Sequence, residues 1–186
     1  MTKKVGGWQT TTSTVVYENP WINVRHDEVI TPAGTEGIYG VVHFKNKAIG
    51  VVVIDDEQHI FLVKQSRYAL DAFTWEIPEG GCPHDEEPLD AAKRELEEEV
   101  GVVAAEWHAL MTMHLSNSVS DEIAYIFVAK TLSQGVQQLE STEDIVVKRM
   151  PFSEALAMVL RGEITDSMSV AAILRVALDI NRPLSV

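Results

Sequence analysis

The sequence is poor in cysteine and has no long apolar run. Of its 186 residues, one is a cysteine, Cys82, which excludes an internal disulfide and a four-cysteine metal site and is typical of a reducing compartment. No apolar run approaches the length of a membrane-spanning helix, and no apolar segment follows the N-terminal Met1–Trp8 as it would in a signal peptide. We therefore expect a cytoplasmic protein without a membrane partner.

Basic residues are also scarce. Fifteen Lys and Arg stand against 28 Asp and Glu, and the formal net charge is −13. Non-specific binding to nucleic acid requires a basic surface that replaces the counterions of the phosphates, so we predict no nucleic-acid partner. Apolar residues make up 46% of the chain. This is enough for a sizeable core, and the length fits one compact domain with a small additional subdomain.

An acid-rich segment near the middle of the chain predicts a helix. Leu89–Val100 contains no glycine or proline and is rich in strong helix formers, and Gly101 follows as a stop signal. At about 100° per residue, Glu95, Glu98 and Glu99 fall on one side of this helix. The apolar stripe lies directly beside them and consists of Leu89, Ala92, Leu96 and Val100.

Three carboxylates on one helix face repel one another. Two explanations are open from the spacing alone: a solvated acidic face, or a site for a hard divalent cation such as Mg²⁺, Mn²⁺ or Ca²⁺, which prefers oxygen ligands. The acids border the apolar stripe and no Lys follows any of them at the fourth position. Both observations favour the cation.

The helix belongs to a longer pattern of fixed residues between Gly80 and Val102. Its nine positions are Gly80, Glu86, Arg94, Glu95, Leu96, Glu98, Glu99, Gly101 and Val102. At every one of them the segment resembles the Nudix box, the signature of the Nudix hydrolases. The resemblance implies an α/β fold, a Nudix-type α/β/α sandwich with a mixed sheet, in which the box forms a loop, a helix and a second loop.

The same resemblance implies a metal centre and its ligands. The implied metal ligands are Glu95, Glu98 and Glu99, together with the backbone carbonyl of Glu79. Arg94 corresponds to the arginine that orients the helix carboxylates, and both Arg94 and Glu98 are assigned to catalysis. The implied cofactor is Mg²⁺, with Mn²⁺ as the alternative.

The N-terminal part of the chain predicts a small antiparallel sheet, because short β-branched and aromatic segments alternate with turn signals. The predicted strands are Thr12–Tyr17, Trp21–Ile30 and Gly37–Lys45. We expect residues 1–10 to be loosely ordered. A sheet this small is marginal alone, so we assign residues 1–46 to dimerisation and residues 47–186 to the hydrolase domain.

Strands dominate the middle of the chain and two helices follow. The polar loop Leu115–Asp121 leads into an apolar strand, Glu122–Ala129. One helix is predicted over Glu154–Arg161 with Ser153 as its cap. The last helix is predicted to start after Asp166 or Ser167 and to reach about Ile180.

Shorter segments resemble the ADP-ribose and nucleoside-diphosphate-sugar pyrophosphatase branch of the Nudix hydrolases. They are Tyr17–Trp21, Val63–Tyr68, Trp75–Gly80, Ser116–Glu122 and Gly162–Asp166. The branch implies a homodimer that hydrolyses the diphosphate bridge of an ADP-ribose-like or GDP-mannose-like nucleotide sugar. Asn117 stands where ADP-ribose pyrophosphatases typically carry proline, so the wider diphosphate-sugar class is favoured over ADP-ribose itself.

The branch also implies substrate-binding residues, and each has a structural alternative. Arg67 would contact the diphosphate, or would be a surface arginine paired with a local carboxylate. Glu76 would lie near the metal and the terminal ribose, or would be a strand-edge carboxylate. Trp21 would stack on a nucleobase, or would pack in the core or an interface. Gly80, the first glycine of the box, is assigned to the substrate loop.

The general base is assigned to Glu122, which lies where the polar loop meets the apolar strand, and Asp121 stays the alternative. Two other functions are alternatives to nucleotide-sugar hydrolysis. A nucleoside triphosphate or dinucleoside polyphosphate pyrophosphohydrolase is disfavoured because the triphosphate branch is shorter and because the tyrosine associated with dinucleoside polyphosphates is missing. A non-catalytic nucleotide sensor is disfavoured because all box acids are present.

Overall fold

The computed structural model describes residues 4–139 and 143–181, and the chain falls into two compact units. The first unit runs from the N-terminal strands to Lys47 and also includes His114–Ile123. The second unit contains Ala48–Met113 and the described residues from Ala124 onward. A segment from the middle of the chain therefore belongs to the N-terminal unit.

The N-terminal sheet has four antiparallel strands in the order in which they occur in the sequence. They are β1 (Lys4–Val5), β2 (Trp8–Glu18), β3 (Ile22–Ile30) and β4 (Glu36–Phe44). The predicted antiparallel sheet is confirmed. The prediction that residues 1–10 are loosely ordered is wrong for Lys4 to Thr10, because a turn with Gly6 at a φ of 57° pairs β1 with β2. Residues 1–3 lie outside the described residues.

The remaining strands form two further sheets. Their bounds are β5 (Asn46–Val53), β6 (His59–Arg67), β7 (Ala72–Glu76), β8 (Glu79–Pro83), β9 (Val102–His114), β10 (Ile123–Gln134) and β11 (Val146–Pro151). One sheet has the order β8-β5-β10-β9, with β5 and β10 parallel. The other has the order β11-β6-β7, and its pairs are antiparallel. A short 3-10 turn, Tyr68–Leu70, connects β6 to β7.

The core of the second unit lies between the box helix, α1 (Pro88–Val100), and the sheet that contains β5 and β10. Its fully or nearly fully buried members are Ile49, Val51, Val53, Cys82, Ala91, Ala92, Leu96, Phe127 and Ala129. Cys82 lies in strand β8 and is part of this core. The chain after Glu79 thus runs as an edge strand of this sheet, in the order β8-β5-β10-β9.

A proline and a glycine mark the two ends of α1, and the predicted stop at Gly101 is confirmed. Pro88 occupies the first turn, where its missing N–H costs no helical hydrogen bond. Gly101 adopts a left-handed conformation with a φ of 73°, and its N–H donates to the Glu97 carbonyl at 2.9 Å. This is the usual way in which glycine ends a helix.

Two helices close the C-terminal part, α2 (Phe152–Leu160) and α3 (Ser167–Asn181). The predicted cap Ser153 is wrong, because strand β11 runs to Pro151 and the helix begins directly at the buried Phe152. For α3, Asp166 is the cap, since its Oδ2 accepts the Ser169 N–H at 2.8 Å. No described helix is long and apolar enough to cross a membrane.

Candidate active site

Arg94 ties the acidic residues of the box together. Its Nη1 donates to Glu95 Oε1 at 2.7 Å and to Glu98 Oε2 at 3.1 Å. Its Nη2 donates to Glu86 Oε2 at 3.0 Å and to the Gly81 carbonyl at 2.9 Å, and its Nε reaches Glu86 Oε1 at 3.2 Å. The bonds to Glu86, and then those to Glu95 and Glu98, raise the Arg94 pKa. The guanidinium therefore stays charged and holds two helix carboxylates in fixed directions.

Gly80 is required by the close approach of Glu95. A Cβ atom at position 80 would lie 2.0 Å from the carboxyl carbon of Glu95, a distance that no pair of non-bonded atoms tolerates. The box therefore begins with glycine because the Glu95 carboxylate packs directly on the backbone of strand β8.

Glu99 is the most deeply buried acid of the helix, with 1% of its surface exposed. Its Oε2 accepts the Glu79 N–H at 3.0 Å. Burial, and then the charges of Glu95 and Glu143, raise its pKa to about 9. Burial also raises the pKa of Glu95, which is 7% exposed. A solvated acidic face is therefore the wrong explanation for Glu95 and Glu99.

The donor set of this helix face suits a hard divalent cation. Among the described residues, no three Asp, Glu, His or Cys side chains form a closed group around one point, and Arg94 engages oxygens of Glu95 and Glu98. Glu99, however, forms no ion pair with any described Lys or Arg side chain. Buried carboxylates are normally paired or coordinate a metal, and a cation beside Glu99 would favour its ionised form.

A second polar cluster surrounds Glu76 at the end of strand β7. Glu76 is 1% exposed and accepts a bidentate pair of hydrogen bonds from Arg67. It also accepts hydrogen bonds from Gln65 and Thr74. The expected alternative for Arg67, pairing with a local carboxylate, is thus realised. Glu76 is a buried carboxylate at the end of the edge strand β7.

The Arg67 cluster extends to the side chain of Glu79 and to helix α3. Arg67 Nη2 lies 3.6 Å from Glu79 Oε2, and Glu79 Oε1 accepts the Ser169 hydroxyl at 3.1 Å. Burial and the neighbouring Asp166 raise the pKa of Glu79 well above its ordinary value. Ser169 is fully buried and its Oγ also accepts the Ile77 N–H at 2.9 Å. This hydroxyl therefore connects α3 to the segment that presents the Glu79 carbonyl.

A cavity of about 330 Å³ opens beside Arg67 and Glu76, and it lies within the second unit. Its lining also includes Thr74, Thr165 and Asp166. The Arg67 side chain is 39% exposed, and its Nε and Nη2 bind Glu76.

Asp121 and Glu122 have different surroundings although they are neighbours in sequence. Partial burial acts to raise the Asp121 pKa, but hydrogen bonds from His43 and from the Phe44 N–H outweigh it and lower that pKa. Glu122 is half-buried, and none of the described residues hydrogen-bonds to its carboxylate. Burial, and then the charge of Asp121, raise its pKa. Glu122 is therefore the more basic and the less engaged of the two.

The comparison with known families identifies the box. The NUDIX domain matches residues 44–169, more than half of the chain. The chain belongs to the Nudix family. Its N-terminal residues 8–42 match a second family, the nucleoside diphosphate sugar hydrolase N-terminal domain.

Individual Nudix relatives match along most of the chain. A protein named ADP-ribose pyrophosphatase from Mycobacterium tuberculosis is 33% identical over 173 residues, covering 91% of this chain and 83% of that protein. A Bacillus subtilis protein of the same name is 31% identical over 160 residues, covering 85% and 86%. A crystal structure titled ADP compounds hydrolase superposes with a TM-score of 0.86 at 19% identity, covering 99% of this chain and all of that one. The predicted family and the predicted fold are both confirmed.

The predicted Nudix site residues fall into three places. Glu95, Glu98, Glu99 and Arg94 form the box cluster, with Gly80 beneath Glu95. Arg67, Glu76 and the Glu79 side chain form the second cluster. Glu122 and Trp21 belong to the first unit. Trp21 is 66% exposed, and its turn is held by Asn19 Oδ1, which accepts the N–H of Trp21 at 2.9 Å. Core packing is therefore the wrong alternative for Trp21.

Sequence reasoning missed three residues that support the Nudix clusters. Glu143 raises the pKa values of Glu95 and Glu99 through its charge. Asp166 does the same for Glu79, and Ser169 fixes the Glu79 segment. Asp166 lies in a segment that resembles the branch and was read as a helix cap. Ser169 and Glu143 carry no local signal, because their partners lie far away in the sequence.

Proposed function

We propose that this Nudix protein hydrolyses the diphosphate bridge of a nucleoside diphosphate sugar, ADP-ribose-like or GDP-mannose-like, in a reaction that depends on Mg²⁺, with Mn²⁺ as the alternative. The products are a nucleoside monophosphate and a sugar phosphate. The observation that carries the proposal is the box cluster, in which Arg94 holds Glu95 and Glu98 beside the buried Glu99. The substrate class is supported by the match of residues 8–42 to a nucleoside diphosphate sugar hydrolase domain.

The metal ligands in this proposal are Glu95, Glu98, Glu99 and the carbonyl of Glu79. When bound, Mg²⁺ would supply charge neutralisation at the phosphoryl oxygens and would lower the pKa of bound water. Arg94 keeps Glu95 and Glu98 pointed in one direction, and the Glu79 N–H does the same for Glu99. The cluster is thereby oriented before the substrate arrives, which saves reorganisation during the reaction.

The reaction itself is a displacement at phosphorus. A water oxygen forms a bond to one phosphorus of the bridge, and the bridging oxygen leaves with the other phosphoryl group. Glu122 accepts the proton of the water, for which its raised pKa is favourable. Arg67, whose guanidinium is partly exposed, holds phosphate oxygens. Glu76 fixes Arg67 and lies near the terminal sugar, Gly80 belongs to the substrate loop, and Trp21 stacks on the base.

The assembly in this proposal is a homodimer formed through the N-terminal residues 1–46, with residues 47–186 as the hydrolase domain. Support comes from large apolar side chains that the single chain leaves exposed in the N-terminal sheet: Val15, Val16, Tyr17 and Ile38 on the strands, and Trp21 in the turn between β2 and β3. Burying such side chains is a strong driving force for association. We further propose a cytoplasmic protein that has neither a nucleic-acid nor a membrane partner.

The test is product formation from a panel of nucleotides with Mg²⁺. The panel contains ADP-ribose, ADP-glucose, GDP-mannose, UDP-glucose, a dinucleoside polyphosphate and the nucleoside triphosphates, and the monoester products are counted as phosphate after phosphatase treatment. Glu99→Gln serves as the inactive control. We expect turnover of one or more diphosphate sugars, its loss in Glu99→Gln, and its loss with a chelator.

Two results would contradict the proposal. Preferred turnover of the triphosphates or of the dinucleoside polyphosphate would move the protein to another substrate class. No turnover of any compound, with nucleotide binding still measurable by calorimetry, would favour a nucleotide sensor. ADP-ribose and GDP-mannose are compared at equal concentration because Asn117 leaves the choice between them open.

A further inference from the structure

The loop Leu115–Glu122, here called the base loop, is attached to strand β4 of the N-terminal sheet. We infer that β4 is a positioning element for Glu122, and that Asp121, His43 and Tyr39 are positioning residues for the hydrolysis. The inference rests on the proposed function, since it takes Glu122 as the general base. All the contacts that carry it lie within the first unit.

Backbone pairing provides the first attachment. The Val42 N–H donates to the Val119 carbonyl at 2.8 Å, and the Asp121 N–H donates to the Val42 carbonyl at 3.3 Å. Val42 and Ser120 form a parallel bridge. The base loop thus runs beside β4 as a short additional strand directly before Glu122.

Side chains on both sides of Val42 provide the second attachment. Asp121 Oδ1 accepts the Phe44 N–H at 3.1 Å, and Asp121 Oδ2 lies 2.6 Å from His43 Nδ1. The Tyr39 hydroxyl donates to the Ser118 carbonyl. Asp121 and His43 are both partly exposed, and such ion pairs contribute little alone. The attachment is therefore the sum of the backbone and side-chain bonds.

The base loop also has hydrogen bonds between its own residues. These bonds connect the part that is attached to β4 with Glu122. The Leu115 N–H donates to the Glu122 carbonyl at 3.1 Å, and the Ser120 hydroxyl donates to the Leu115 carbonyl at 2.6 Å. Glu122 is thus fixed on one side by its bonded neighbour Asp121 and on the other by Leu115. Its carboxylate takes part in none of these bonds and stays available.

This arrangement assigns different tasks to the two adjacent acids. Asp121 uses both oxygens to attach the loop, which makes it a poor proton acceptor. Glu122 is held in place through the backbone while its side chain is left for chemistry. A general base must lie within hydrogen-bond reach of its proton, so small displacements of Glu122 would reduce the rate without altering the box.

The test is a double-mutant cycle on kcat. Asp121→Ala removes both side-chain bonds, and we expect kcat to fall about 10- to 100-fold, as for other small misplacements of a reacting group. We expect KM to stay within about threefold, since the ground-state contacts of the substrate are unchanged. In a Glu122→Gln background the same substitution should change kcat by less than about threefold, because its effect acts through Glu122.

Two control variants test whether the effect of Asp121→Ala comes from lost positioning, from the lost charge or from lower stability. Asp121→Asn loses the charge but keeps an acceptor for the Phe44 N–H, and we expect it to retain most of the activity. Glu18→Gln removes the exposed ion pair between Glu18 and Lys45 in the same sheet and should leave kcat unchanged. Hydrogen exchange at the amides of Val42, Phe44 and Asp121 should quicken in Asp121→Ala and stay as in the wild type in Glu18→Gln.

The outcomes distinguish the inference from the function on which it rests. A strongly slowed but still measurable Glu122→Gln, combined with an equal kcat loss from Asp121→Ala in both backgrounds, would overturn the positioning role alone. An unchanged kcat in Asp121→Ala would also overturn it. A fully active Glu122→Gln would overturn the assignment of the base itself.

Discussion

The box helix and the base loop hold their acids by opposite means. In the box, the partners of the acids are near in sequence: Arg94 is eight residues from Glu86 and four from Glu98, and Glu99 is 20 residues from Glu79. In the base loop, the partners are distant, because Tyr39, His43 and Phe44 lie 77 to 79 residues before the groups they bind. A local sequence motif thus positions the box acids. The base loop, in contrast, is held by a sheet whose strands lie far away in the sequence.

The two regions also differ in the ionisation of their acids. The box acids are crowded and partly buried, and this raises the pKa values of Glu95 and Glu99. In the proposed function, a bound cation would stabilise the ionised forms of these acids. In the base loop, Asp121 instead attaches the loop to β4, and the carboxylate of Glu122 accepts no hydrogen bond from any described residue. Metal binding and proton transfer should therefore respond separately to mutation.

The largest expected effect lies in the box. We expect Glu98→Gln to lower kcat by about 1,000-fold or more, because it removes a charged ligand at the centre where charge develops. Glu97→Gln is the matched control on the same helix, since the Glu97 carboxylate is bonded to the Val136 N–H at 3.4 Å and takes no part in the cluster. The measurement is steady-state turnover of the preferred nucleotide sugar. Equal losses in the two variants would contradict the account of the box.

A smaller effect, on metal affinity, is expected from a substitution in helix α3, which contacts the Glu79 segment from outside the box. Ser169→Ala removes the hydroxyl that binds the Ile77 N–H and Glu79. We expect Mn²⁺ affinity to fall about 10-fold, as is typical when a group that orients a metal ligand is lost. Ser169→Thr, which keeps the hydroxyl, should restore part of the affinity. Unchanged Mn²⁺ binding by Ser169→Ala would mean that α3 does not orient the Glu79 segment.

The last effect concerns the stability of the metal-free protein, which the substitution is expected to raise. The folded pKa of Glu99, about 9, lies above its unfolded value, so its contribution to stability is complete below the unfolded pKa and is lost as pH rises towards 9. In metal-free protein at pH 8, Glu99→Gln should therefore raise Tm by about 4 °C or more, which corresponds to roughly 2 kcal/mol for a chain of this size. The gain should vanish near pH 4.

Thermal unfolding in the presence of a chelator measures this effect, and Glu97→Gln is again the control. A lower Tm for Glu99→Gln than for the wild type at pH 8 would show that Glu99 stabilises the metal-free fold as an anion. The predicted combination of higher stability and lost activity is the usual signature of an acid retained for function.

Much of the box could be predicted from the sequence because its contacts are local. The spacing of Glu95, Glu98 and Glu99 on one helix face and the end at Gly101 both depend on neighbours within one helix. The burial of Glu99 could not be predicted, since it depends on how the segment at Glu79 covers the helix. Its position beside the apolar stripe was the only indication.

The contacts outside the box depend on pairings that no local pattern encodes. Ser169 meets Ile77 across 92 residues, and a lone serine near a helix start has no distinguishing signal. The choice between Asp121 and Glu122 stayed open in the sequence because both follow the same polar loop. It is the pairing with β4 that separates them. Likewise, strand β1 depends on a turn at Gly6, and two short segments around one glycine form no clear strand pattern in the sequence.

The most direct test of the separation between box and base loop is calorimetric titration of Mn²⁺ into the wild type, Glu98→Gln and Asp121→Ala. We predict that Asp121→Ala binds Mn²⁺ as tightly as the wild type while its turnover is reduced, and that Glu98→Gln binds it at least about 10-fold more weakly. Loss of Mn²⁺ binding in Asp121→Ala, or undiminished binding in Glu98→Gln, would contradict the account.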